Sequence, residues 1–587
     1  MDILIWERCV QKFAAKLLSE FSFEGLLSPE KENEGHFKIG LSNADYLFEA
    51  RESLWKQVIV NAGSIRRKQT KSTEASLLGD ILVLLNDIQP LMPCSSLTWS
   101  QFVNECINTL YSDYQLSIKH LLFADEDWSN LPTNILHSLL DGHPKALTNK
   151  GRVGWGAFNL KHYAPEAQSS FRLVWIAIRK HLVESSISED LSWDSLYQES
   201  LSIRELHDIK IKLNNYEDYL LMPVHPWQWD HMIALQFVHY VANKSIVYLG
   251  ELGDFYQAQP SLRTLSNTTY PKKKDIKLAL TILNTSSYRG MPGKYLKIAP
   301  KLSAFLKKVV NDDDVLNKYV RVQAEPAGLF VPHPFYEQQE ECAYQWKELL
   351  GVVWRESAHS KCIENETAYM AAILHQLHPS GVSLVETLIT NSQLSAEEWL
   401  IKLFDCTAIP LWHWQCAYGL GFISHGQNLQ IIFENFIPKG ILIKDIQGDL
   451  FVTEDFPCPP LKTIPTDIIQ ILPKMPPHYL VHNLWTGFFA SVLRFTSFLL
   501  SEKKILDEKQ FWQLLSKRLQ IYMEQNPDLK QAFSAYDLFC KSMPRLCINK
   551  ARLVAGYNDT ASRPVHSRGQ DILNPLYIVK ESYDISV

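Results

Sequence analysis

A mixed α+β protein is what the sequence predicts, with helices leading, strands entering in the middle and returning late. Three observations carry it. Apolar residues recur at three- and four-residue spacings over the first 130 residues, alternating or continuously apolar runs follow between 219 and 331, and a late pair of alternating runs, LQIIFEN and ILIKDI, flanks Pro438-Lys439-Gly440.

Taken in order, MDILIWERCVQKFAAKLLSEF reads as an amphipathic helix with Ile5, Val10, Phe13, Leu17 and Phe21 on one side. Asp2, Glu7 and Arg8 deny it the basic start of a secretory peptide. EASLLGDILVLLNDI and WSQFVNECINTLYSDYQLSIKHLLF continue the helical pattern. YLLMPVHPW, SIVYLGEL, IKLALTIL and YVRVQAEPAGLFV then read as strands. Beyond about 345, YQWKELLGVVWRES, ETAYMAAILHQL and AEEWLIKLFDC read as helices around the late hairpin, whose turn is expected at Pro-Lys-Gly. Residues 1–130, 131–345 and 346–587 are the expected domains: a helical N-terminal unit, a mixed α/β unit and a C-terminal unit.

Bulk properties narrow the function. The 587 residues are 46% hydrophobic and 21% charged, as in ordinary globular proteins. A net charge of -6 gives no reason to expect nucleic acid as a partner, so any polyanionic ligand must be held by local Lys and Arg. The apolar run GFFASVLRFTSFLL (487–500) is too short to span a bilayer and contains Arg494, so it reads as a core helix. Ten cysteines, scattered singly without a C-x-x-C pair, fit reduced thiols in the cytoplasm.

Four stretches are candidates for chemistry. In DGHPKALTNKGRVG (141–154), His143, Lys150 and Arg152 sit in a turn-rich segment that is either a solvated loop or a set of cations facing an anion. In PVHPWQWDH, His225 and His231 lack further ligands at metal spacing and read as core histidines, as do His375 and His378 of HQLH. PSLRTL and DIKLALTILNTSSYRG bring together Ser261, Arg263, Thr264 and Lys277, with a hydroxyl-rich turn of Thr285, Ser286 and Ser287 before Arg289. Arg suits bidentate contact with carboxylate or phosphate and Lys suits point contact with phosphate, though a solvated strand face is an equal reading. Finally, SHGQN and a later Asp445 place His425, Gln427 and Asn428 at one end of the predicted hairpin and a carboxylate at the other. An Asn and an Asp with substrate phosphates are hard oxygen ligands that suit Mg²⁺. Kinases use such an Asn…Asp order but place an Asp base before the Asn, where this chain has Gln427.

Together these segments resemble the IucA/IucC-type synthetases of NRPS-independent siderophore assembly, from near residue 130 to Asn574-Pro575-Leu576. Gly142-His143-Pro144…Lys150-x-Arg152-x-Gly154, His225-Pro226-Trp227, Ser261-x-Arg263-Thr264, Lys277, Thr285, Arg289, His425-Gly-Gln-Asn428 and Asp445 match the family's motifs in order. The resemblance implies a cupped hand of helical thumb, mixed fingers and a palm with kinase-like features. It also implies a cytosolic, dimeric enzyme that uses ATP and Mg²⁺ to adenylate a carboxylate, commonly citrate, and passes it to an amine or hydroxyl. By carry-over, Ser261, Arg263, Thr264, Lys277, Arg289, Asn428 and Asp445 would handle ATP, with Asn428 and Asp445 facing the metal. Thr285, Arg289, His425 and Gln427 would hold the acid, and His143, Arg289 and His425 would be catalytic. Lys150 and Arg152 would lie on the acceptor side. The chain departs from the family at Ala146 and Leu147, where a second His-Pro is usual, at Ile423 in place of Glu, and at Lys444 in place of Arg. The rival readings are a kinase-like phosphotransferase and a non-catalytic binder of citrate or nucleotide.

Overall fold

The computed structural model describes residues 2–584 apart from 286, 447, 458, 461, 557–559 and 564–566. It is a mixed α+β fold, as expected from the patterning. The helix Ile3–Phe23 starts at Asp2, whose carboxylate accepts from the Leu4 and Ile5 amides. It buries Val10, Phe13, Leu17 and Phe21. The N-terminal unit is less helical than the spacings imply. Between it and the long helix Ser96–Leu122, residues 30–77 form a six-stranded antiparallel sheet. Its first strand, Glu30–Asn33, is exposed throughout and carries no apolar alternation. His36–Gly40 and Ala44–Glu52 turn alternate side chains inward, Phe37 and Ile39 from the first and Tyr46, Phe48 and Ala50 from the second.

The centre is an eight-stranded antiparallel sheet in the order Glu184–Ile187, Ala327–Phe330, Gly351–Arg355, Asp275–Leu278, Thr264–Asn267, Ile246–Ala258, Phe171–Arg179, Tyr219–Val224. Two readings are corrected. GVVWR is the strand Gly351–Arg355, not part of a helix. IKLALTIL is also not one strand. Asp275–Leu278 pairs within the large sheet, whereas Leu280–Asn284 leaves it to pair with Ser287–Arg289. The break falls at Ala279, whose amide still donates to the Gly351 carbonyl. Ile276 and Leu278 therefore face the sheet core, with Leu265 and Trp354. Because side chains alternate along a strand, Asp275 and Lys277 point to the opposite face.

The late hairpin exists, with strands Leu429–Glu434 and Ile437–Ile443 paired from Leu429 opposite Ile443. Its turn, however, is at Asn435-Phe436, both at positive φ (50° and 64°), as a two-residue type I′ connection requires. Pro438-Lys439-Gly440 lies inside the second strand, beside a bulge at Ile432/Phe433. The hairpin joins Val320–Val322 and Glu366–Met370 in a four-stranded sheet. ETAYM is thus a strand, followed by a 3₁₀ turn at Ala371–His375. The helix Ala396–Cys406 is as expected. The helical run Pro477–Glu502 is long and apolar enough by composition to cross a membrane, but 83% of its most apolar window is buried within the protein. Arg494 inside it is fully buried and ion-paired to Glu20 of the first helix at 3.1 Å.

Candidate active site

The polar face of the central sheet is the floor of the site. Thr264 stands opposite Lys277 and Asp275 opposite Arg355 across neighbouring strands. Above them sits Asp445, one residue past Lys444 at the open end of the hairpin. Lys277 donates to Asp445 Oδ1 at 2.5 Å and Arg355 to the same oxygen at 2.7 Å. Arg355 also reaches Glu325, at 2.8 Å through Nη2 and 3.1 Å through Nε. Burial alone would raise the Asp445 carboxyl, but Arg355, Lys277 and Lys444 hold it well below the usual carboxylate range. Lys277 is only 4% exposed, so the solvated-face reading of its strand is wrong. Asp275 has the opposite balance: burial outweighs Arg355 and the Gln259 amide and raises it to about 6.

Beside this cluster, Arg263 donates to the Gly290 carbonyl and Arg289 to the Asn284 carbonyl at 2.8 Å. Neither makes an ion pair among the described residues. Burial first, then Arg563, lower the two guanidinium groups to about 9 and about 10, with Arg289 a further cause for Arg263. Cations held by backbone carbonyls and pressed on by further cations are ready to receive an anion. Ser261 Oγ accepts from the Thr264 amide at 3.3 Å, and the Thr264 hydroxyl is buried with no partner among the described residues.

The third element is a pair of histidines. The His143 and His425 rings lie 6.0 Å apart. His143 Nδ1 accepts from the Lys145 and Ala146 amides at 3.2 and 3.3 Å, and His425 Nδ1 accepts from those of Gln427 and Asn428 at 3.2 and 3.4 Å. Burial lowers both rings' pKa, His143 well below the ordinary value. With Nδ1 committed as acceptor in a neutral ring, each carries its proton on Nε2 and offers a donor, not a base. Lys16 of the first helix donates to the His143 and Ala146 carbonyls at 2.8 Å each, fixing this loop. Gly142 (φ +93°) opens it where a Cβ would lie 2.5 Å from Asn149 Oδ1.

Other expected residues fall as follows. Asn428 does not approach Asp445 by hydrogen bond. Its amide donates to Asp449 Oδ2 at 3.0 Å and to the Ile423 carbonyl at 3.3 Å. The Gln427 side chain is part-exposed. Thr285 takes φ 62°, unusual for a β-branched residue, and its carbonyl accepts from Thr148 Oγ1 at 3.3 Å. Arg152, Leu262 and Asp445 share positive φ, so strained backbone gathers around these segments. Ser286 lies outside the described residues. Lys150 and Arg152 are buried, not a solvated loop, and each is paired at 2.7 Å, with Asp113 and Glu166. These pairs tie the loop to the N-terminal unit and its neighbouring turn. His225 is fully buried, its Nδ1 accepting from the Trp227 amide, as a core histidine should be. Among the described residues no group of three or more His, Cys, Asp or Glu side chains is arranged to hold a metal. Sequence reasoning missed Arg355, Glu325, Asp275, Asp449, Arg563 and Lys16. A signal existed only for Asp449, four positions past Asp445 across a glycine.

A floor of Lys and Arg gathered on Asp445, with imidazole donors beside it, is equipment suited to a ligase that activates a carboxylic acid. Residues 135–375 match the IucA / IucC family model, and residues 397–561 match a model described as ferric iron reductase FhuF-like transporter. The aerobactin synthase of Escherichia coli is 32% identical over 584 residues, covering 99% of both chains. The structure of aerobactin synthetase IucC from a hypervirulent pathotype of Klebsiella pneumoniae superposes with a TM-score of 0.87 at 31% identity, covering 99% of this chain and 100% of that one. ATP-bound aerobactin synthetase IucA from the same source shares the fold at 17% identity, with a TM-score of 0.78 over 97% and 99% of the chains. The chain belongs to the IucA/IucC family of siderophore synthetases.

Proposed function

We propose that this synthetase uses ATP with Mg²⁺ to adenylate a carboxylate of citrate or a citrate derivative, then transfers the acyl group to an amine or hydroxyl. The observation that carries the reading is the pair Arg263 and Arg289, half-buried and with no ion-pair partner among the described residues, beside Lys277–Asp445 and the two Nε2–H donors. Ser261, Arg263, Thr264 and Lys277 are assigned to the ATP phosphates. Thr285, His425 and Gln427 are assigned to the acid, with Arg289 between the two. In the first step a carboxylate oxygen bonds to the α-phosphorus as pyrophosphate leaves. In the second, the acceptor's nitrogen or oxygen bonds to the acyl carbon, AMP leaves and the acceptor loses a proton. Positioning and charge neutralisation are the enzyme's main tasks, and no covalent nucleophile is needed.

The donor set suits Mg²⁺, which takes a few hard oxygens and leaves the rest to water and phosphate. Asn428 and Asp445 are assigned to it, and Asp449, hydrogen-bonded to Asn428, joins them. Bound there, the ion would offset phosphate charge as pyrophosphate departs. His143 is assigned a donor's role beside the reacting centre, since its Nδ1 is occupied. The names of the relatives support an amine-bearing acceptor and a citrate-type acid. A homodimer and a cytoplasmic site of action are further parts of this reading, open to sedimentation and fractionation. Hydroxylamine trapping should yield a citryl hydroxamate only with ATP and Mg²⁺ present, with release of AMP and pyrophosphate. Stoichiometric ADP with a phosphorylated acceptor would instead establish a phosphotransferase.

A further inference from the structure

A third guanidinium completes the cation cluster from a part of the chain remote in sequence. Arg563 donates to the Gly290 carbonyl at 3.2 Å, the same oxygen that receives Arg263, and it forms an ion pair with Glu348. Its guanidinium carbon lies 5.5 Å from the Tyr344 ring centre, and the Tyr344 amide donates to the Thr560 carbonyl at 3.1 Å. The C-terminal segment is thus fastened at this point. Gly290 permits the approach, since a Cβ there would lie 2.4 Å from that of Glu348.

Of Arg263, Arg289 and Arg563, Arg563 alone has a contacting carboxylate among the described residues, Glu348. The Nε atoms of Arg289 and Arg563 are buried and have no hydrogen-bond partner among the described residues. The cluster therefore lacks anionic charge and acceptor oxygens together, while the Arg563 side chain remains 33% exposed and within reach of a small ligand. Two anions are available, a phosphate and the acid. Lys277 is paired with Asp445, and no hydrogen bond or ion pair among the described residues joins Arg563 to either of them. Arg563 shares the Gly290 carbonyl with Arg263, but its guanidinium also lies over Tyr344, whose hydroxyl accepts from the Tyr288 amide at 2.7 Å, which sets it beside the strand that carries Arg289.

We infer that Arg563 binds a carboxylate of the acid substrate other than the one being activated, and so selects polycarboxylic over monocarboxylic acids. The inference rests on the reading of the acid proposed above and extends it to a residue outside the family motifs.

The test compares wild type, Arg563→Ala and Arg563→Lys with saturating ATP. The acids are citrate, citramalate (one carboxylate fewer) and 2-hydroxyisobutyrate (two fewer). A lost charge-assisted contact corresponds to about 30- to 100-fold. Arg563→Ala should lower kcat/KM for citrate by that factor, mainly through KM, and change that for 2-hydroxyisobutyrate by less than about 3-fold. Arg563→Lys, which keeps the charge, should fall between and guards against a folding defect. The KM for ATP should stay within about 2-fold of wild type. An equal loss for all three acids would mean a merely structural role, and a raised KM for ATP would mean a phosphate contact; either overturns the inference. If wild type itself activates none of the polycarboxylates, the reading of the acid fails, and the inference with it.

Discussion

Asp445→Asn removes one negative charge from a site where two cations converge, and the cost can be worked from their partners. Arg355 would keep Glu325 at 2.8 Å, but Lys277, 4% exposed, has no other ion-pair or hydrogen-bond partner among the described residues. Removing one member of a buried pair leaves an uncompensated charge and costs about 3–5 kcal/mol. Replacing both members by apolar groups, as in Lys277→Met with Asp445→Leu, removes the burial penalty too and should bring stability to within about 1 kcal/mol of wild type. A double-mutant cycle on urea midpoints, built from Lys277→Met, Asp445→Leu and their combination, should therefore give a coupling above about 2 kcal/mol. Activity should behave differently. ATP–pyrophosphate exchange should fall by at least about 100-fold in both single variants and stay low in the double variant, because the groups proposed to hold phosphate and metal are gone even where the fold is restored. A stable Asp445→Asn protein, or exchange restored in the double variant, would refute this account of the pair.

Two further outcomes follow from the same site. Arg289→Lys keeps the charge but loses the planar fork, so kcat/KM for the acid should drop about 30- to 100-fold with unchanged circular dichroism; near-wild-type kinetics would place Arg289 away from substrate. Asp275, raised to about 6, is a carboxyl whose neutral form the fold prefers, so its favourable contribution is complete below about pH 4 and is lost as pH rises through 6. Asp275→Asn should thus be more stable than wild type above pH 6, by up to about 3 kcal/mol, with the gap closing towards pH 4. Urea midpoints across that range measure it, and a gap that widens at low pH would reverse the assignment.

Much of the site was legible because its chemistry demands particular residue types close together in sequence. Arg263, Lys277 and Arg289 fall within 27 positions, and cations beside hydroxyls announce an anion wherever they lie. The hairpin was legible from alternation, yet its turn was not. Pro-Lys-Gly is the stronger composition signal, whereas the chain turns at Asn435-Phe436, where Phe at φ 64° is a choice no local preference favours. GVVWR and ETAYM were hidden for a related reason. Short strands buried on both faces carry no alternation, and helix-forming neighbours lend them a helical period. Misreading GVVWR concealed Arg355, and with it the reason Asp445 is ionised. Arg563 had no local signal at all: its role comes from a carbonyl 273 positions away.

The distribution of charge also explains why the site is assembled from so many segments. Lys277 and Arg355 are buried and Arg263 and Arg289 half-buried, and removing an unpaired ion from water is costly, so the fold compensates some and leaves others. Lys150, Arg152, Arg355 and Arg494 are given carboxylate partners and serve as fixed ties between segments. Arg263 and Arg289 are given backbone carbonyls only. A carbonyl satisfies a donor without cancelling its charge, so these two stay poised for a ligand that brings negative charge of its own. Their neighbours are well anchored: a central sheet with a packed apolar face, and a loop pinned by Lys16. A carboxylate partner does not by itself exclude a binding role, since Lys277 and Arg563, both assigned to substrate, are paired with Asp445 and Glu348. Where the partner also ties two segments together, as for Lys150 and Arg152, the pairing accounts for the cation without a ligand.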